Sequence, residues 1–275
     1  MDKKDIKYLV LDIDGTLTNS EKEITPRTKE GILRVMERGH KVILASGRPT
    51  AGMMRYAEEL EFNKRGGYLL SFNGGWILEY KTGNIMFQKT LPPQVIPSLH
   101  RFAVENDCGL VTYLGNNIIV GTRMDDYIKL EATINGMGIR PVENFVNFVT
   151  FDVNKCLMTA PPEKAEELVG KLQEQYRDVL SIYRSEPFFI EIMPKNIDKA
   201  QSLDRMMSTV GLTKDNCICC GDGFNDMTMI RYAGVGVAME NAQPAIKEAA
   251  DFVTDSNDND GIVKVIDTFI LPEEQ

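Results

Sequence analysis

The stretch that decides the fold is I-K-Y-L-V-L-D-I-D-G-T, residues 6–16. Its nearly continuous apolar run is the pattern of a strand buried on both faces of a parallel sheet. The run ends on two carboxylates, Asp12 and Asp14, one residue apart. Open α/β sheets bind ligands outside the carboxyl ends of their strands. The sequence therefore predicts a parallel α/β fold with a polar site where this strand ends.

Strands and helices alternate on both sides of the chain's middle. Thr25 and Pro26 predict a helix start, and V-I-L-A-S (42–46) predicts the second strand. The same rhythm returns near the end of the chain, and it is typical of right-handed parallel crossovers. We therefore predict one core domain that is built from two segments, residues 1–82 and 192–275.

The sequence pattern changes over residues 83–191, where hairpin signals are mixed with helical periodicity. This mixture predicts an inserted α+β module. L-G-N-N (114–117) predicts a hairpin turn between two strands. Apolar periodicity predicts two helices and three strands after it, over residues 123–136, 161–176, 155–160, 179–185 and 188–193.

Composition narrows the possible partners and location. The net charge of −9 over 275 residues disfavours binding to nucleic acids and to anionic membranes. No apolar run approaches the roughly 20 residues that a membrane span needs, and the first strand is interrupted by carboxylates too early for a signal peptide. Five cysteines without disulfide-framework spacing fit a reducing compartment. We expect a cytoplasmic protein, and a monomer is compatible with the sequence, which leaves the oligomeric state open.

The carboxylates predict a metal site. Asp12 and Asp14 raise the energy of ionising each other, and a hard divalent cation such as Mg²⁺ removes that cost. The segment G-D-G-F-N-D (221–226) follows another predicted strand and adds Asp222, Asn225 and Asp226. We therefore expect carboxylates from distant parts of the chain to share one ion.

Cations and amides near the same sheet edge predict a phosphate site. Ser46 ends the second strand ahead of a helix, so its hydroxyl and the following backbone N–H groups suit an anion. Lys199 begins a later helix and offers a point positive charge. Taken together with the carboxylates, these groups suit phosphoryl transfer, in which the enzyme mainly positions groups and neutralises charge.

The motifs resemble a known family. D-I-D-G-T, A-S-G-R, Lys199 and G-D-G-F-N-D occur in the order of the four motifs of the haloacid dehalogenase superfamily. S-F-N-G-G (71–75), the insert after it, and residues 238–261 are similar to the Cof-like sugar-phosphate phosphatases. The resemblance implies a Rossmann-like parallel-sheet core with an inserted α+β cap domain that determines substrate specificity.

The resemblance also implies catalytic and metal roles. Asp12 would be the nucleophile and a Mg²⁺ ligand. Asp14 would be the general acid and base, and would bind Mg²⁺ through its backbone carbonyl. Asp222 would be a direct Mg²⁺ ligand, with Asp226 supporting the metal site.

The resemblance also implies that five further residues bind the phosphate or line its pocket. Ser46 and Gly47 would bind the transferring phosphoryl group, while Lys199 would neutralise it and orient the nucleophile. Asn225 would contact phosphate, and Asn73 would line the pocket.

These observations and the resemblance predict a Mg²⁺-dependent phosphatase that hydrolyses a small phosphorylated metabolite, of the sugar-phosphate class, through an aspartyl-phosphate. Two alternatives stay open at this point. One is a phosphomutase or phosphotransferase, and the other is a sugar-phosphate-binding regulator without catalysis. Cys217, Cys219 and Cys220 lack zinc-site spacing and are interpreted as buried structural residues.

Overall fold

A computed structural model describes residues 5–272 and contains two sheets and eleven α-helices among them. The strands are β1 Tyr8–Leu11, β2 Lys41–Ala45, β3 Tyr68–Ser71, β4 Trp76–Glu79, β5 Asn84–Gln88, β6 Gly109–Leu114, β7 Asn117–Val120, β8 Gly138–Pro141, β9 Cys156–Thr159, β10 Leu180–Glu186, β11 Phe189–Pro194, β12 Cys217–Gly221, β13 Val235–Ala238 and β14 Phe252–Val253. The helices are α1 Pro26–Glu37, α2 Thr50–Glu59, α3 Phe62–Arg65, α4 Val95–Glu105, α5 Asp126–Asn135, α6 Phe145–Phe148, α7 Pro162–Gln175, α8 Lys199–Thr209, α9 Met227–Tyr232, α10 Pro244–Ala249 and α11 Gly261–Phe269.

The chain divides into two compact units. The first contains the described residues up to Phe87 and from Asp198 onward, and the second is Gln88–Ile197. The mixed α/β class that the sequence predicted is confirmed. The first unit extends past residue 82 because β5 forms the edge of its sheet.

The sheet of the first unit has the order β14-β13-β12-β1-β2-β3-β4-β5. It is parallel from β14 to β3, and β4 pairs antiparallel with β3. Strand β1 lies between β12 and β2, with Tyr8 opposite Cys217 on one side and Lys41 on the other. Since all three strands run the same way, their carboxyl ends meet at one edge.

Helices cover both faces of this sheet. Along β1 the side chains alternate, so that Leu9 and Leu11 face one core cluster while Tyr8 and Val10 face another. The first cluster is completed by α1, α2, α10 and α11, and the second by α8 and α9. Burial on both faces explains the uninterrupted apolar run of β1.

The predicted start of α1 is confirmed by its cap. The Thr25 side chain accepts a hydrogen bond from the backbone N–H of Thr28, and Pro26 occupies the first helical position. Both features satisfy the needs of a helix N-terminus, where N–H groups lack partners inside the helix.

The second unit has a six-stranded sheet in the order β10-β11-β9-β6-β7-β8. The hairpin predicted around residues 114–117 is confirmed, since β6 and β7 pair antiparallel up to Leu114 and Asn117. Helices α4, α6 and α7 supply apolar residues to the core on one face of this sheet.

Two further observations concern partners and cysteines. No helix between residues 5 and 272 combines the length and the apolar character that crossing a lipid bilayer requires. All five cysteines are buried and unpaired, and burial raises the pKa of each thiol.

Candidate active site

The site residues follow the carboxyl ends of neighbouring strands. Asp12 follows β1, Asp222 follows β12, and Ser46 follows β2. Because these strands are adjacent and parallel, residues about 200 positions apart in sequence come together. The backbone N–H of Asp12 donates to the carbonyl of Cys220 at 3.1 Å, which fixes the start of the loop.

Lys199 is the central cation of the site. Its side chain is completely buried, and its Nζ donates to Asp12 Oδ1 at 2.6 Å and to Asp226 Oδ1 at 2.5 Å. A third hydrogen bond of 2.8 Å goes to the carbonyl of Ala45. Burial opposes its charge, but the two carboxylates outweigh burial and raise the pKa of Lys199. The ammonium therefore uses all three of its donors and joins three separate segments.

Three carboxylates converge around this cation. One oxygen from each of Asp12, Asp222 and Asp226 lies within 4.8 Å of the others. Burial and the Asp226 charge raise the pKa of Asp12 well above its usual range, although Lys199 acts in the opposite direction. Burial likewise raises the pKa of Asp222 to about 6. If all three carboxylates were ionised, one lysine would not balance them, and their mutual repulsion adds to the rise of both pKa values.

The donor set fits a hard divalent cation. Carboxylate oxygens are the ligands that such ions prefer, and the mutual repulsion of the three groups is the cost that a bound cation removes. Glycine at position 15 lets the loop after β1 lie close to Asp222. Its φ is +82°, and an added Cβ would lie 2.5 Å from Asp222 Oδ2. Thr16 Oγ1 also donates to Asp222 Oδ1 at 2.9 Å and orients that carboxylate.

Asp226 is held by its own loop. Its Oδ2 accepts hydrogen bonds of 3.0 Å from the backbone N–H groups of Asp222 and Gly223. With Oδ1 bonded to Lys199 and the side chain wholly buried, Asp226 fixes the loop that carries Asp222.

A second group of residues comes from the segments that follow β2, β3 and β12. Ser46 is buried and its Oγ accepts from the backbone N–H of Arg48 at 3.2 Å. The Asn73 amide lies so close to Gly47 that an added Cβ there would meet it at 3.2 Å. Asn225 Nδ2 donates to Asn73 Oδ1 at 3.3 Å. Asn73 has a φ of 51°, in the left-handed region that asparagine tolerates better than most residues.

Asp14 has different partners from the other carboxylates. It is not among the three that converge, and instead accepts hydrogen bonds from Arg48 Nε at 2.7 Å and from Arg48 Nη2 at 2.8 Å. Lys22 Nζ also lies 3.2 Å from its Oδ1. Burial opposes ionisation of Asp14, but the hydrogen bonds and charges of Arg48 and Lys22 lower the pKa of its carboxyl.

The structure thus brings the predicted residues into three contacting sets. The carboxylates of Asp12, Asp222 and Asp226 lie together, and Lys199 contacts the first and the last. Ser46, Gly47, Asn73 and Asn225 form a second set, and Asp14 pairs with Arg48.

Sequence reasoning did not assign roles to Thr16 and Arg48. Both stand inside the quoted motifs D-I-D-G-T and A-S-G-R, so their position was a usable signal. Their partners could not be predicted, because Thr16 reaches Asp222 across 206 positions of sequence.

The chain is similar to proteins of known sequence and structure over nearly its whole length. A haloacid dehalogenase-like hydrolase from Bacteroides thetaiotaomicron has 42% sequence identity, with 95% of this chain and 98% of that chain covered and a TM-score of 0.92. The subclass IIB sugar phosphatase BT4131 has 25% identity, with 96% and 98% of the chains covered and a TM-score of 0.80. A 5-amino-6-(5-phospho-D-ribitylamino)uracil phosphatase from Bacillus subtilis is 28% identical over 267 residues, which is 97% of each chain.

The match to the family itself covers residues 9–266, nearly the whole chain, and is described as haloacid dehalogenase-like hydrolase. The resemblance that the motifs indicated is confirmed, and so is the assignment to an enzyme family. This chain belongs to the haloacid dehalogenase-like hydrolases, in their Cof-like group.

Proposed function

We propose that this chain is a Mg²⁺-dependent phosphatase that hydrolyses a small phosphorylated metabolite, of the sugar-phosphate class, through a phosphorylated Asp12. One observation carries the proposal. Three carboxylates from two distant motifs lie together beside a single buried lysine that contacts two of them, and when ionised they carry more negative charge than that lysine balances. A carboxylate cluster of this kind would bind a divalent cation, and the bound cation would attract a phosphate dianion.

In the first half-reaction Asp12 acts as the nucleophile. Its free carboxylate oxygen forms a bond to phosphorus as the bond from phosphorus to the ester oxygen breaks. Arg48 and Lys22 favour the Asp14 carboxylate, so the minor, protonated form of Asp14 gives its proton to that leaving oxygen and the alcohol departs neutral. Lys199 holds the other Asp12 oxygen through its 2.6 Å hydrogen bond, which fixes the direction from which Asp12 attacks.

The second half-reaction regenerates the enzyme. Asp14, now a carboxylate, takes a proton from water while the water oxygen forms a bond to phosphorus. The bond between phosphorus and Asp12 then breaks, orthophosphate leaves, and the Asp12 carboxylate is restored. Asp14 therefore serves as acid in one step and base in the other.

The metal would be held by Asp12, Asp222 and the Asp14 backbone carbonyl, with Asp226 fixing the loop. Bound there, Mg²⁺ would offset the repulsion between the nucleophile and the phosphate. Ser46, Gly47 and Asn225 would receive the phosphoryl oxygens, and Asn73 would line the same pocket. The contacts among these four residues support that assignment.

The substrate class rests on the relatives. The names of two of them, a sugar phosphatase and a ribitylaminouracil phosphatase, describe removal of phosphate from small molecules. We propose that residues of the inserted unit select among such substrates, as the resemblance implies. The five unpaired, buried thiols support the predicted cytoplasmic location.

The test uses the full chain with Mg²⁺ and a panel of phosphorylated metabolites, together with p-nitrophenyl phosphate. Orthophosphate release that needs Mg²⁺ and is lost in Asp12→Asn is expected, with acid-stable labelling of Asp12 in the wild type. Release at a wild-type rate by Asp12→Asn would refute the nucleophile. Transfer to an added sugar without free phosphate would select a phosphotransferase, and Mg²⁺-dependent binding without turnover would select a regulator.

A further inference from the structure

Arg48 binds the Asp14 carboxylate through two parallel hydrogen bonds. Its Nε donates to Oδ2 at 2.7 Å and its Nη2 donates to Oδ1 at 2.8 Å. The arginine side chain is only 8% exposed, against 35% for the aspartate. A bidentate pair of this kind fixes the plane of the carboxylate as well as its position.

Arg48 is itself held firmly by the segment around the phosphate site. Its backbone N–H donates to Ser46 Oγ at 3.2 Å, and its carbonyl accepts from the backbone N–H of Phe72 at 2.9 Å. Its guanidinium lies 5.9 Å from the centre of the Tyr56 ring. The arginine therefore connects the orientation of Asp14 to the residues that would receive the phosphoryl group.

The other cation near Asp14 makes a weaker contact. Lys22 reaches only Oδ1, at 3.2 Å, and its side chain is 56% exposed. An exposed ammonium with one contact neither fixes the plane of a carboxylate nor escapes screening by solvent. Of the two cations that contact Asp14, Arg48 is thus the one whose geometry determines where the carboxylate points.

We infer that Arg48 is a positioning residue that aims the Asp14 carboxylate at the attacking water in the second half-reaction. The inference rests on the proposed function. Asp14 Oδ2 gives one lone pair to the arginine and retains another for a water proton, whereas Oδ1 accepts from both Arg48 and Lys22. In that step the proton moves from water to Asp14, the water oxygen bonds to phosphorus, and the bond from Asp12 to phosphorus breaks.

The inference predicts a defect in one half-reaction. With p-nitrophenyl phosphate the leaving group departs as an anion and needs little protonation, so Asp12 should still become phosphorylated in Arg48→Gln. Decay of the phosphorylated enzyme should slow by about 100-fold, the order of loss that a misplaced catalytic group produces. A burst of nitrophenolate approaching one per folded enzyme should then precede slow turnover.

Rapid-mixing kinetics and acid-quenched labelling of Asp12 measure both rates, counted per folded molecule. Arg48→Lys keeps the charge but loses the two parallel bonds, so its phosphorylated form should decay as slowly as that of Arg48→Gln. Lys22→Gln is the matched control, with a decay rate within about fivefold of wild type. Adding Arg48→Gln to Asp14→Asn should slow decay no further.

The possible outcomes distinguish failure of the positioning role of Arg48 from failure of the proposed function. Wild-type decay in Arg48→Lys, or an equal slowing of phosphorylation and decay in Arg48→Gln, would overturn the positioning role while leaving the phosphatase intact. Phosphate release by the wild type without any labelled Asp12 would instead overturn the proposed mechanism.

Discussion

Each unit of this protein contains a buried lysine that forms an ion pair with a carboxylate. The two sites differ in their charge balance. In the first unit Lys199 contacts both Asp12 and Asp226, with Asp222 close by. In the second unit Lys155 contacts Glu191 at 2.9 Å, and the side chains are 4% and 11% exposed. The first site has excess negative charge, whereas the second is a pair of one cation and one anion.

The pair in the second unit is satisfied by its neighbours. Glu191 Oε1 accepts from Ser185 Oγ at 2.9 Å, and Lys155 Nζ lies 5.2 Å from the centre of the Tyr113 ring. Tyr113 in turn donates to Glu131 at 2.7 Å. Glu191 and Glu131 thus each have a partner within this unit, so a buried lysine beside a carboxylate does not by itself indicate a catalytic site. The first unit differs in that oxygens of three carboxylates lie within 4.8 Å of one another.

The largest effect is expected when the unbalanced site loses its lysine. Lys199→Met should lower kcat for p-nitrophenyl phosphate by about 10²- to 10³-fold, as loss of a single electrostatic group in a site does. It should also lower the free energy of unfolding by about 3–5 kcal/mol, because buried carboxylates lose their partner. Steady-state kinetics and urea unfolding measure the two losses. Lys171→Met, at an exposed position, is the control; a Lys199 variant that matched it would contradict the role of the lysine.

Breaking the balanced pair should affect stability and should be reversible by a second substitution. Lys155→Met alone leaves Glu191 buried and unpaired, and should cost about 3–5 kcal/mol of unfolding free energy. Adding Glu191→Leu should recover most of that loss, since apolar residues of similar size replace buried ion pairs at little cost. Urea unfolding of the two variants decides the point, and a double variant no more stable than the single one would count against it.

Added Mg²⁺ should stabilise only through the unbalanced site. At 100 times its dissociation constant, the ion should raise the free energy of unfolding by about 2.7 kcal/mol, because it binds the folded state. Asp222→Asn should abolish this increment, whereas Glu191→Gln should retain it. Thermal unfolding with and without Mg²⁺ provides the measurement, and an increment that survives in Asp222→Asn would remove Asp222 from the site.

The smallest effect concerns His40, which is outside both sites. Burial and the charge of Lys7 lower the pKa of His40, and its Nδ1 accepts a hydrogen bond from the Lys7 backbone N–H at 3.1 Å. The folded state therefore disfavours the protonated ring, and stability should fall as pH drops below the ordinary histidine pKa of 6.5. His40→Gln should weaken this dependence in urea unfolding from pH 8 to pH 5. An unchanged dependence would show that other groups cause it.

Local patterns predicted much of the fold. The apolar run of β1, the cap at Thr25 and the hairpin at residues 114–117 all depend on neighbours in sequence, and each is found in the structure. Strands β4 and β5 were not predicted, because most of their side chains are only partly buried or exposed and their apolar pattern is correspondingly weak. Helix α4 was missed as well, although its buried residues help to form the core of the second unit.

The sequence by itself determined the family, the order of the motifs and the residue types of the site, since these are written in short contiguous segments. Tertiary structure alone decided that Asp14 pairs with Arg48 instead of joining the carboxylate cluster, and that Lys199 is shared between Asp12 and Asp226. Those partnerships depend on which strands lie side by side, and hydrogen bonds and charges act over a few ångströms of space whatever the separation along the chain.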